Sequence, residues 1–201
     1  MTPSRPIPEP SGAAATEDGV DGRSSLAVFD IDGVLADVRH RLRFVTARPK
    51  DWIGFFRAAP LDPPLPDGIE AVMSAERAGH RIAYLTGRPE WCRSDTESWL
   101  AQHGLPYGPL YMRENRDRRP ARVGKVSRLR HLSRDHRIEA FVDDDVAVVE
   151  AVRSAGFRVI HARWMGSETD GAEGAPGGSG EAAGPTAQEV LFEIQEQDPH
   201  T

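Results

Sequence analysis

Five short apolar runs mark out the middle of the chain, and each gives way to turn chemistry or to helical periodicity. LAVFDI (26–31), RIAYLT (81–86), PLYMR (109–113), IEAFVD (138–143) and FRVIHA (157–162) read as strands. Helical patterns cover 38–58, 66–79, roughly 89–103, 122–134 and 146–155. Pro60, Pro63, Pro64 and Pro66 separate the first two, Gly104 stops the third and Gly156 closes the last. Strands alternating with helices of this length predict an α/β fold, a Rossmann-like parallel sheet with helices on both faces. In such sheets ligands bind outside the carboxyl ends of the strands, so the informative residues are those directly after each apolar run.

The flanks differ from this middle. Residues 1–23 are rich in Pro, Gly, Ala and Ser without apolar periodicity and are expected to form a disordered arm. Residues 165–201 read as an acidic, Gly/Ala-rich linker ending in a short helix that places Val190, Leu191 and Ile194 on one side. Between them, residues 24–164 form one domain. The formal charge of −6 is carried by the flanks, because 24–164 hold 23 Lys/Arg against 19 Asp/Glu. A mildly basic domain suits an anionic substrate. Cys92 is the single cysteine, which excludes an internal disulfide and a Cys-based zinc cluster. No apolar run approaches the roughly 18 residues that a membrane span needs, and the N-terminus lacks the apolar stretch of a secretory signal. A cytoplasmic protein is expected, with no membrane partner.

The residues after the strands carry the chemistry. Asp30 and Asp32 follow the first run, Thr86, Gly87 and Arg88 the second, Arg113 the third, and Asp143, Asp144 and Asp145 the fourth. Lys125 lies near the start of the helix before the fourth run, and Arg118 sits in the basic stretch between. Two carboxylate clusters at adjacent strand ends repel each other unless a cation lies between them, and hard oxygen ligands suit Mg²⁺. Thr86, Arg88 and Lys125 then offer donors for phosphate oxygens, an arrangement suited to phosphoryl transfer. Asp145 also fits a helix N-cap, and Trp52, Phe55 and Phe56 suit either base stacking or packing of their segment on the core.

FDIDGVLAD, LTGR, Lys125 and FVDDD, in that order, resemble the four motifs of haloacid dehalogenase (HAD) superfamily phosphatases, across residues 26–162. The resemblance implies that Asp30 attacks phosphorus to form an aspartyl-phosphate and that Asp32 acts as general acid and base. It implies that Gly33 provides the sharp turn, that Thr86 binds a phosphoryl oxygen and that Lys125 balances charge. Asp30, the backbone carbonyl of Asp32, and Asp143 or Asp144 would hold Mg²⁺. Val148 stands four residues after Asp144, where many relatives carry a second acid, so the chain resembles the adjacent-pair variant.

A narrower resemblance connects DIDGVLADVRHR, DWIGFF with DPP, LTGRPE, LYMRENRDRRP, Lys125 and VDDD to the 3′-phosphatase domain of phage-type polynucleotide kinases. It implies phosphate contacts for Arg88 and Arg113, and nucleotides or nucleic-acid ends as substrate. Ala121 and Asp145 depart from that pattern, which usually has an acid and an Arg there. No G-x-x-x-x-G-K-[ST] loop occurs, so no kinase half is expected in this chain. The insert between the first two motifs is short and helical, where larger relatives carry a cap. Two alternatives stay open, a 5′-nucleotidase or small-metabolite phosphatase of the same superfamily, and a non-catalytic HAD-fold protein that binds phosphate or nucleic acid.

Overall fold

The structure is a computed structural model that describes residues 23–165. The expected arm and C-terminal segment therefore lie outside the described residues, apart from Arg23 and Met165. Strands β1 (Ser24–Phe29), β2 (Arg81–Pro89), β3 (Leu110–Arg113), β4 (His136–Asp143) and β5 (Val159–His161) form one sheet in the order β3-β2-β1-β4-β5. Every pairing is parallel. Along β1 the side chains alternate between two cores. Ala27 and Phe29 belong to one with Val72, Trp99 and Trp164, while Leu26 and Val28 belong to the other with Leu129, Phe141 and Val152. Both faces are covered, which is why the strands read as unbroken apolar runs.

The helices are α1 (Arg43–Thr46), α2 (Trp52–Arg57), α3 (Pro66–Arg77), α4 (Arg93–Gln102), α5 (Ala121–Leu132) and α6 (Val146–Ser154). The expected single helix over 38–58 is instead two short helices flanked by 3₁₀ turns at Arg39–Arg41 and Ala59–Leu61. Pro49 is the cause: it offers no amide hydrogen and disfavours helical geometry in the residue before it. The Asp51 carboxylate then caps a fresh start by accepting from the Gly54 amide at 2.8 Å.

The strand order reverses at β1, with β2 and β3 to one side and β4 and β5 to the other. Such a reversal opens a crevice at the carboxyl ends of the two central strands. The loop after β1 is pinned below that crevice. A Cβ on Gly68 of α3 would meet the Val34 carbonyl oxygen at 1.9 Å, so only glycine lets α3 pack this closely. From the other side the Trp164 indole donates to the same carbonyl at 2.9 Å.

Candidate active site

Asp30 leaves β1 and Asp143 ends β4, and the Asp30 amide donates to the Val142 carbonyl at 2.9 Å, so the sheet itself sets the two carboxylates side by side. Lys125 reaches them from α5 and donates to Asp30 Oδ2 and Asp143 Oδ2, both at 2.6 Å. The ammonium is buried, which alone would lower its pKa, but Asp30 and Asp143 outweigh burial and hold it above its usual range. Asp144 completes the group, and carboxylate oxygens of Asp30, Asp143 and Asp144 lie within 4.8 Å of one another. Gly33 makes that approach feasible. Its φ of +77° is a left-handed conformation, and a Cβ there would lie 2.0 Å from Asp144 Oδ2.

The group carries more negative than positive charge. Burial pushes Asp30 up to about 7 despite Lys125, with Asp143 and Asp32 adding to the rise. Burial also raises Asp143, and it raises Asp144 to about 8 with the help of Asp30 and Asp143. Asp30 Oδ1 is buried without a hydrogen-bond partner. With all three acids ionised and Lys125 protonated, the group carries two surplus negative charges. A divalent cation fits both the surplus and the unpartnered oxygen, and carboxylate oxygens are the donors Mg²⁺ prefers.

Asp32 is placed differently. Arg88 donates to its Oδ1 through Nε at 2.8 Å, and Arg41 donates to the same oxygen at 2.6 Å. Burial raises its pKa, but Arg88 and then Arg41 outweigh that and leave it below the usual carboxylate range. Both arginines also bond the buried Asp62, which Arg41 grips through Nε and a terminal nitrogen at 2.8 and 2.7 Å and Arg88 reaches at 2.9 Å. His40 approaches Asp62 Oδ1 at 2.7 Å, and the Trp99 indole donates to the Asp62 carbonyl at 2.9 Å. Thus Asp32, 21 % exposed, and His40, 34 % exposed, are the parts of this network that meet solvent.

Thr86 accepts from the Arg88 amide at 3.2 Å, leaving its hydroxyl hydrogen to donate. Gly87 faces open space. Thr86, Gly87, Arg113 and Lys125 line one small cavity of about 70 Å³. Arg113 is engaged by its own loop, donating to the carbonyls of Asp117 (3.0 Å) and Arg119. Arg118 is exposed and makes no ion pair among the described residues. Asp145 caps α6, accepting from the Ala147 and Val148 amides at 2.8 and 3.3 Å. Cys92 is buried, and its thiol donates to the Pro89 carbonyl at 3.0 Å.

Sequence reasoning did not single out Arg41 or Asp62. Arg41 sits in a local run of basic residues and Asp62 in a proline-rich turn, so neither carries a local signal of burial.

The family described as "Polynucleotide kinase PNKP phosphatase domain" matches residues 24–163. A "Putative nucleotidase" of Bacillus cereus is 28 % identical over 89 residues, covering 44 % of this chain and 43 % of that protein. Among solved structures, one titled "Structure of Pnkp1/Rnl/Hen1 complex" aligns with a TM-score of 0.59 at 21 % identity, over 78 % of this chain and 51 % of the other. A class C acid phosphatase from Bacillus anthracis with tungstate bound aligns with a TM-score of 0.52 at 20 % identity, over 66 % of this chain and 60 % of the other. At such identities the likeness to solved structures is one of fold. The chain spans less than half the length of the curated relatives it matches. With the sheet, the strand-end carboxylates and this match in agreement, the chain belongs to the PNKP phosphatase-domain family of HAD-type phosphatases.

Proposed function

We propose that this phosphatase is a cytoplasmic, Mg²⁺-dependent phosphomonoesterase that forms an aspartyl-phosphate on Asp30 and acts on nucleotide or polynucleotide 3′-phosphates. The observation that carries the chemistry is the state of Asp30, whose one oxygen is held by Lys125 while the other is buried without a partner. Leaving a buried acceptor unsatisfied costs about 1–3 kcal/mol, so such a group is kept for a purpose other than stability.

In the first half-reaction an Asp30 oxygen attacks phosphorus as the bond to the leaving oxygen breaks. Asp32 gives that oxygen its proton. In the second half Asp32 takes a proton from water, water oxygen attacks phosphorus, and the bond to Asp30 breaks to regenerate the carboxylate. The two arginines keep Asp32 ionised in the free protein, and an arriving phosphate dianion opposes them and favours the protonated acid. Arg41 and Arg88 thus position Asp32, while the Thr86 hydroxyl and the Lys125 ammonium bind phosphoryl oxygens. Asp30, Asp143, Asp144 and the Asp32 carbonyl would hold Mg²⁺, which supplies charge neutralisation for those oxygens when bound.

The substrate reading draws on the family and on the small insert, which leaves room for a bulky nucleic-acid end. Arg118, exposed and without an ion pair among the described residues, suits a flanking phosphate. The test is phosphate release from 3′-phosphorylated oligonucleotides, their 5′-phosphorylated counterparts, mononucleotides and sugar phosphates. We expect the highest kcat/KM on the 3′-phosphorylated oligonucleotide, with Arg118→Ala and added salt lowering that value selectively. A tenfold preference for sugar phosphates or 5′-nucleotides would replace this reading with that of a small-molecule phosphatase.

A further inference from the structure

The short insert does more than leave the crevice open. Trp52 and Phe56 of α2 stack with centroids 6.1 Å apart and planes at 24°, and Phe56 meets Trp91, just after β2, edge-on at 6.3 Å. Both tryptophans are partly solvent-exposed, at 51 % and 46 %. The insert and the segment after β2 therefore share a row of aromatic rings at the protein surface. The row is tied to the catalytic apparatus through Phe55, which packs edge-on against both Trp52 and Phe56. The Arg41 guanidinium lies 4.1 Å above the Phe55 ring and bonds Asp32.

On the insert side of the rings the charge is one-sided, whereas beside Trp91 the Glu90 carboxylate is paired with Arg93 at 2.8 Å. Residues 39–57 contain Arg39, Arg41, Arg43, Arg48, Lys50 and Arg57 against the single acid Asp51, whose carboxylate caps α2. Arg43, Arg48, Lys50 and Arg57 make no ion pair among the described residues. Lys50 lies 5.6 Å from the Trp52 ring centroid. A protein-binding surface also uses aromatic rings, arginine and exposed apolar residues such as Ile53 and Leu61, but it is depleted in lysine and in cations without an acid opposite them. Exposed aromatic rings interleaved with unpaired cations are instead the composition that binds a strand of stacked bases with a charged backbone.

We infer that Trp52, Phe56 and Trp91 form a stacking platform for the bases at a single-stranded nucleic-acid end, with the surrounding cations taking its phosphates. The platform rests on the reading of the adjacent site as a nucleic-acid 3′-phosphatase and adds to it the feature that selects a base-bearing, unpaired strand. It predicts a preference for single-stranded over duplex ends, because bases held in a duplex offer no free face.

Native fluorescence tests the platform apart from catalysis. The chain has four tryptophans, of which Trp99 and Trp164 are buried, so quenchable emission comes from Trp52 and Trp91. In the unreactive Asp30→Asn protein, a 3′-phosphorylated single-stranded oligonucleotide should shield this emission from acrylamide, and a matching strand of abasic sugar phosphates should not. In the otherwise native enzyme, Trp52→Ala and, separately, Trp91→Ala should each lower the ratio of kcat/KM for the base-bearing strand to that for the abasic strand about tenfold. Unchanged circular dichroism would show that the fold survives. Shielding without 3′-phosphate release keeps the platform and sinks the 3′-phosphatase reading. Release of 3′-phosphate with no shielding and an unchanged ratio overturns the platform. A concentration-dependent dimer that Trp52→Ala dissociates also overturns it and makes the patch a self-association surface.

Discussion

Two buried charge networks lie on either side of Ile31, and they are built on opposite plans. Around Lys125 one cation bonds two carboxylates and a third, Asp144, lies beside them, an oxygen of Asp30 goes unpartnered, and Asp30 and Asp144 are pushed up to about 7 and about 8. Around Asp62 two arginines meet two carboxylates, both Asp62 oxygens are bonded, and Asp32 is pulled below its usual range. A buried charge is tolerated when it is paired and hydrogen-bonded, so the second network is balanced in charge as it stands, with only Arg41 Nη1 among its buried atoms lacking a hydrogen bond. The first is balanced only when something positive joins it. The balanced network holds Asp32 between two arginines, and the unbalanced one has the surplus negative charge that a cation would neutralise.

The sharpest way to break this contrast is at Asp30, the proposed nucleophile. Asp30→Asn keeps the shape of the side chain and removes both its charge and its nucleophilicity. Phosphate release should fall to background while circular dichroism stays native, and activity above a few per cent in a clean preparation would end the assignment of Asp30.

Breaking the balanced network should show up first in stability. Arg41 is wholly buried, and its loss leaves Asp32 and Asp62 short of a partner. Removing one member of a buried ion pair costs about 3–5 kcal/mol. The lower end is expected here, because one terminal nitrogen of Arg41 already lacks a partner. Urea unfolding of Arg41→Ala checks this, and a loss below about 1 kcal/mol, the range of surface pairs, would mean the network is ornamental.

Metal addition sharpens the other side of the comparison. Mg²⁺ should raise Tm, since a ligand at a hundred times its Kd stabilises by about 2.7 kcal/mol. The gain should vanish in Asp143→Ala/Asp144→Ala and persist in Arg41→Ala. Equal shifts in the wild type and the double variant would remove the metal from this group.

The smallest effect expected is the pH slope of the metal-free protein. Unfolded aspartates titrate near 4, whereas folded Asp30 and Asp144 titrate near 7 and 8. Between those values the folded state holds protons that the unfolded state has released, so stability declines as pH rises. Asp32, shifted down, acts in the opposite sense, and its contribution is lost only as pH falls below about 4. Thermal unfolding in EDTA from pH 5 to 9 should show Tm falling with pH, with Asp144→Asn flattening the trend. A Tm that climbs over this window would contradict the raised acids.

The five strands and the order of the motifs were legible in the sequence because each is a local pattern. Apolar runs buried on both faces stay apolar at every position, and Asp30, Thr86 and Asp143 are marked simply by coming at or just after their ends. The insert was read less well. Its periodicity suggested one helix over 38–58, and the constraint at Pro49 decided otherwise. What only the tertiary structure decided is which charge meets which. Lys125 reaches Asp30 across 95 positions and Arg88 reaches Asp32 across 56, and Arg41 finds Asp62 across 21. No periodicity encodes such pairings. Asp30 and Asp32 are the same residue type two positions apart, yet one is raised and the other lowered, because a carboxylate's charge depends on burial and on the groups the fold brings beside it.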